Sequence, residues 1–170
     1  IYVFLIMYIE EKQLENFILD AGLVSKIDFE KIKKAAQEKK INIGTILVNE
    51  GKINNDELGR IQAYILGIPY VNLGEQKINF DTLSLIPEPI ARSRNIIAFK
   101  KNPDSLEVAM LDTDDLVSIE FIKKKVGLKI LPRLTDLESI KLALLQYQKS
   151  LKAEFGDIIQ KEASASAMLK

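Results

Sequence analysis

The sequence predicts an α+β protein: an N-terminal subdomain of four short helices in a tandem helix-turn-helix repeat, then a small α/β subdomain with a mixed sheet. Three observations lead there. Residues 13–24, "QLENFILDAGLV", overlay residues 42–53, "NIGTILVNEGKI", at an offset of 29 positions, so that Leu14 meets Ile43, Ile18 meets Leu47 and Gly22 meets Gly51. After Gly67 and Pro69 the apolar spacing changes from helical to strand-like. From there to about residue 149, strand and helix patterns alternate, the signature of a βαβ-containing layer.

The elements follow in chain order. Residues 1–9 form an N-terminal extension with two readings. One is sequence upstream of a start at Met7, which would leave residues 1–6 outside the native chain; the other is a buried first strand. The apolar run "IYVFLIMY" is too short to span a bilayer, which takes about 20 apolar residues. It also lacks the basic start and small-residue cleavage site of a secretion signal. The helical subdomain covers residues 10–67. In its first copy Leu14, Phe17, Ile18 and Ala21 share a helical face, and Gly22 stands where a left-handed residue ends the helix. Ser25 and Asp28 are a capping pair for a second helix with Phe29, Ile32 and Ala36 on its inner face. Ile43, Ile46, Leu47, Gly51, Asn54, Glu57, Leu58, Ile61 and Ile65 repeat that logic. Neither helical pair can bury its stripe alone, so the two pairs are expected to pack on each other.

The second subdomain covers residues 68–149. "IPYVNL" reads as a short strand, and "DTLSLIPEPIARSR" as one or two short helices interrupted by Pro87 and Pro89. "NIIAFK" and "LEVAMLD" flank an Asn-Pro-Asp turn and read as a hairpin. Thr113 or Asp114 is expected to cap a helix carrying Leu116, Ile119, Ile122 and Val126 and stopped by Gly127. "LKILP" is a further strand, and Thr135 with Glu138 is a capping box for the last helix. Leu137, Ile140, Leu144, Tyr147 and Leu151 form a heptad-like seam on that helix, expected to lie on the sheet. Residues 150–170 have the small, polar composition of a linker or frayed tail.

Composition narrows the function. Lys plus Arg equal Asp plus Glu, 24 each, so the basic excess of a nucleic-acid binder is missing. There is no cysteine, which removes disulfides and thiolate chemistry, and no histidine, which removes the commonest general base and metal ligand. No phosphate-cradling G-x-x-x-x-G-K-[ST] loop is present; Gly51-Lys52 is followed by Ile53 where a magnesium-binding hydroxyl is required. Asp112, Asp114 and Asp115 offer carboxylates for a hard cation, but they lack EF-hand spacing and suit helix capping better. Arg92 and Arg94 beside Ser93 read as a solvated turn or, more sharply, as a site for phosphate or an acidic partner. No catalytic constellation emerges.

The order of these pieces carries a resemblance. The glycine-centred repeats, then "LGIPYVNL", "LSLIPEPIARSRNIIAFKK" and "LEVAMLDTDDLVSIEFIKKKVGLKI" resemble the N-terminal domain of the type II secretion and type IV pilus assembly ATPases over roughly residues 12–149. The resemblance implies a non-catalytic docking and regulatory domain in the cytoplasm, peripheral to the inner membrane. Its implied partners are the cytoplasmic part of the assembly platform and the protein's own C-terminal ATPase domain, where ATP and magnesium would bind. Neither nucleic acid nor direct membrane insertion is implied.

Some members of that family bind cyclic di-GMP through two tandem segments of the form Arg-Leu-Gly, aliphatic run, Gly-Leu, closing Gln. Carried over by position, the first copy here has Gln13, Leu14, Glu15 and Ala36, with Gln37 one place late; the second has Asn42, Ile43, Gly44 and Ile65. The degenerate site would therefore consist of Gln13, Leu14, Asn42, Ile43 and Gly44. Two absent arginines remove about 3–6 kcal/mol of charge-assisted bonding. A micromolar ligand sits near about 8.2 kcal/mol, so the remainder predicts about millimolar binding or weaker. Lys31, Lys33, Lys34, Lys39 and Lys40 could compensate, although such a run is more often a solvated helix face. No cofactor is therefore expected in this chain, with cyclic di-GMP disfavoured.

Overall fold

The computed structural model describes residues 2–168, and the side chains of residues 11–167 other than Glu154. The chain divides into two units, one reaching Tyr70 and the other beginning at Val71.

The first unit holds α1 (Tyr2–Asp20), α2 (Lys26–Lys39), α3 (Ile43–Asn49) and α4 (Asn55–Leu66). The sequence repeat reappears as a repeat of hydrogen bonds. Leu23 N donates to Ile18 O and Gly22 N to Leu19 O; at the same offset Lys52 N donates to Leu47 O and Gly51 N to Val48 O. Gly22 and Gly51 have φ of 66° and 67°, the left-handed conformation in which a side chain is strained. The next caps repeat too. Asp28 N donates to Ser25 Oγ, and Glu57 N donates to Asn54 Oδ1 while Asn54 N donates to Glu57 Oε2. Leu14, Ile18, Phe29 and Ile32 from the first copy share one core with Ile43, Leu47, Ile53 and Ile61 from the second. The opening stretch is corrected: residues 2–9 are not a strand but the start of α1. No glycine, proline or other turn residue lies between them and the first repeat, so nothing stops the helix from extending backward.

The second unit runs α5 (Phe80–Leu83), α6 (Glu88–Arg94), β1 (Ile96–Lys101), β2 (Ser105–Met110), α7 (Leu116–Val126), β3 (Lys129–Leu134) and α8 (Leu137–Met168). The sheet order is β1-β2-β3, with β1 antiparallel and β3 parallel to β2, so it is mixed. Pro132 lies on β3, an edge strand, where a missing ladder donor is tolerated. Ile97, Leu106, Val108, Ile140 and Tyr147 belong to one buried cluster joining the sheet to α8.

Several expectations change here. "IPYVNL" is not a strand: only Tyr70 forms a bridge. Pro69 brings no N–H, and an Asx turn from Asn72 Oδ1 to Gly74 N at 2.8 Å bends the chain away. The cap of α7 is Asp115, which accepts from Ser118 N and also holds the Ser118 hydroxyl, not Thr113 or Asp114. The cap of α8 is Asp136, which accepts from Ser139 N at 2.7 Å. Thr135 is spent elsewhere, its hydroxyl donating to Val71 O at 2.7 Å. Finally, residues 150–168 are helical rather than frayed, as alanine, lysine and glutamate allow. Of the expected seam, Ile140, Leu144 and Tyr147 are buried, whereas Leu137 and Leu151 are exposed.

Pro87 caps α6 and Pro89 lies in its first turn, so the prolines begin that helix rather than interrupt it. The irregular stretch ahead of α6 has few backbone bonds of its own, and α8 supplies them. Leu73 N donates to Ser139 Oγ, Ile78 N to Gln146 Oε1, and Gln146 Nε2 to Gln76 O. Tyr147 Oη lies 3.0 Å from Leu83 O and 2.8 Å from Ile86 O. Burial holds this phenol's pKa well above its ordinary value, so it stays a donor.

Candidate ligand site in the helical repeat

The five residues singled out for a nucleotide lie at the starts of the two copies, and the fold gives them different duties. Leu14 and Ile43 are buried at equivalent places in the helical core. Gly44 is buried in the first turn of α3, and its N–H donates to Asn42 Oδ1 at 2.7 Å, so Asn42 is spent as an N-cap. A Cβ at Gly44 would lie 3.0 Å from both Asn42 Oδ1 and the Leu58 side chain. Packing alone therefore accounts for this glycine. Gln13 is exposed on α1.

A cleft of about 280 Å³ opens in this unit, lined by Glu11, Lys33, Ala36, Gln37, Lys40, Ile41, Asn42 and Ile43. It gathers Asn42 and Ile43 but not Gln13, Leu14 or Gly44. Lys33, Gln37 and Lys40 were legible only as a lysine run and a misplaced glutamine, and Glu11 gave no signal in the sequence.

The electrostatics turn on Glu15, the residue in the first copy's glycine position. Its carboxylate lies 3.3 Å from Lys33 Nζ and 3.4 Å from Lys12 Nζ. Burial raises the Glu15 pKa, but hydrogen bonding and charge from Lys33, then Lys12, outweigh it and leave the pKa below the ordinary glutamate value. Glu15 stays ionised and takes up part of the positive charge at the cleft. Other candidates are similarly engaged. Arg92 pairs with Glu88 at 2.7 Å, Ser93 Oγ donates to Ile90 O, and Asp112 Oδ1 accepts from Asp114 N at 2.9 Å. Among the described residues no group of three or more His, Cys, Asp or Glu is placed to hold a metal ion. No helix among them is long and apolar enough to cross a membrane.

The MshEN domain pattern matches residues 66–154, a little over half of the chain. The chain belongs to the MshEN domain family. The match lies almost wholly in the second unit and leaves the helical repeats outside it. The chain is also 26% identical over 147 residues to the type IV pilus assembly ATPase PilB of Myxococcus xanthus, covering 86% of this chain and 26% of that protein. It is 24% identical over 148 residues to PilB of Thermus thermophilus, covering 86% of this chain and 17% of that protein. This MshEN chain thus spans only 26% and 17% of the length of those relatives. Its fold is similar to a solved structure of MshE with cdg, at a TM-score of 0.63 and 21% identity, covering 78% of this chain and 96% of that one. Fold and family together support an N-terminal domain of the GspE/PilB-type ATPases, as the sequence resemblance implied.

Proposed function

We propose that this MshEN chain is the non-catalytic docking and regulatory part of a type IV pilus assembly or type II secretion motor. In this reading it binds the cytoplasmic part of the inner-membrane assembly platform and passes motor motion through α8. The parent ATPase domain binds ATP and magnesium, and the whole sits in the cytoplasm, peripheral to the membrane. The docking face is the exposed side of the helical unit. The observation that carries the non-sensing half of this reading is the Glu15–Lys33 pair at 3.3 Å. An internal carboxylate occupies the lysine that an entering phosphate needs, and Glu15 itself repels a dianion.

The second reading is a cyclic di-GMP sensor. It is favoured by the fold similarity to MshE with cdg and by the lysine-bearing cleft beside Asn42 and Ile43. Titration calorimetry with cyclic di-GMP at moderate salt separates the two. The docking reading expects binding no tighter than about millimolar. A low-micromolar dissociation constant establishes the sensor instead. Co-sedimentation with the cytoplasmic part of an assembly platform tests docking directly.

A further inference from the structure

The cleft of about 280 Å³ in the helical unit is smaller than the pockets of about 300–1,000 Å³ that enclose drug-sized ligands, so its size suits a small anion. Its walls carry opposite charge. α2 contributes Lys33 and Gln37, one turn apart, and the C-cap of α2 contributes Lys40. Lys40 has φ of 53°, a left-handed angle that strains a side chain, whereas α4 ends on Gly67 at 67°. A lysine is thus kept at the cleft where glycine would fit the backbone better. α1 contributes Glu11, and Glu15 stands one turn further along the same helix face.

The two acids differ in what they reach. Lys33 Nζ and Lys12 Nζ converge on one oxygen, Glu15 Oε2, at 3.3 Å and 3.4 Å. Among the described residues no ion pair joins Glu11 to the lysines of the cleft. The Glu15 side chain is 12% exposed against 38% for Lys33, so the carboxylate is the inner member of the pair. A carboxylate and a phosphate oxygen make the same kind of charge-assisted bond to an ammonium group. An entering phosphate would therefore compete with Glu15 for Lys33 and would meet its negative charge as well. The other cleft groups that suit an anion, Gln37 and Lys40, remain in place. We propose that Glu15 is an autoinhibitory counter-ion: it closes to small phosphate-bearing anions a cleft that Lys33, Gln37 and Lys40 would otherwise make able to hold them. The proposal rests on the non-sensing half of the proposed function and assigns that insensitivity to one side chain.

Amide chemical-shift titration of the 170-residue chain with inorganic pyrophosphate at fixed ionic strength tests it. Glu15→Gln should bind pyrophosphate at least about tenfold more tightly than the wild type, with the shifts gathered on Lys33, Gln37, Lys40 and Asn42. Glu15→Met, which keeps the stem and removes the polar head, should show the same gain. Glu11→Gln should gain less, because Glu11 is not paired with the lysines. Adding Lys33→Met to Glu15→Gln should cancel the gain. A Glu15→Gln chain that binds no better than the wild type overturns the proposal. So does a gain that survives Lys33→Met, a larger gain from Glu11→Gln, or shifts that fall away from the cleft. Loss of the folded state in both Glu15 variants would make the residue structural and overturn it too. The proposed function fails separately, through cyclic di-GMP calorimetry on the wild type or through co-sedimentation with the platform.

Discussion

Tyr147→Phe isolates the contribution of one hydroxyl to the second unit. The ring keeps its volume and its place between α8 and the segment before α6, so no cavity forms. What changes is the hydrogen-bond account. Leu83 O retains a second donor, Ile86 N at 3.3 Å. Ile86 O accepts from Tyr147 Oη at 2.8 Å, and the substitution removes that donor from a buried carbonyl. A buried polar group left unsatisfied costs about 1–3 kcal/mol. In a unit of this size that corresponds to a fall in melting temperature of roughly 4–8 °C for each kcal/mol. Urea unfolding followed by far-ultraviolet circular dichroism reads the loss as a lower midpoint with an unchanged slope. A loss below about 0.5 kcal/mol at constant slope would refute the idea that α8 holds this segment through the tyrosine.

Other substitutions probe the remaining joints. In the helical unit a Cβ at Gly59 would land on the Tyr70 ring, with Tyr70 Cζ 3.0 Å away. Gly59→Ala should therefore destabilise by about 1–3 kcal/mol, against the usual helix preference for alanine, and Tyr70→Leu should relieve part of the loss. An additive double mutant in urea unfolding would break that link. Gly156, inside α8 with open space around it, predicts the opposite sign. Gly156→Ala should stabilise the end of α8 by up to about 1 kcal/mol, seen as slower amide exchange over residues 150–168; unchanged exchange would contradict a continuous helix there. Glu107 provides a pH test. Lys100 lowers its pKa most, burial raises it, and Arg133 lowers it further, for a net shift below the ordinary 4.5. The unfolded state therefore binds the proton more tightly, so this stabilisation is present above about pH 4.5 and is lost as pH falls through the folded pKa. The urea midpoint of the wild type should fall between pH 6 and pH 3 more than that of Glu107→Gln. Parallel curves would remove Glu107 from the account.

The sequence by itself determined what is local and periodic. Gly22 and Gly51 take the left-handed angles their positions demand, and Ser25 and Asn54 cap the helices they precede. In the helical repeats Leu14, Ile18, Phe29, Ile32, Ile43, Leu47 and Ile61 are buried where their spacing placed them, whereas Ala21 falls in the turn and is exposed. Each of these depends on groups within about four residues of one another, so the pattern and its physical cause lie in the same short string. Tertiary structure decided the rest. Thr135 fits the start of a capping box, yet its hydroxyl goes to Val71 O, and Asp136 takes the cap. "IPYVNL" has strand composition but makes a single backbone bond to β3, Val71 N to Leu134 O, and takes others from the Ser139 and Thr135 side chains rather than from a continuous ladder. Glu15 stands at a glycine position and reads as a simple loss until Lys33, on another helix, is found 3.3 Å away. The cleft beside Asn42 exists only because α2 and its C-cap bring Lys33, Gln37 and Lys40 to it. A polar side chain bonds to whichever partner folding brings closest, and a partner 18 or 64 residues away leaves no trace in the spacing around it.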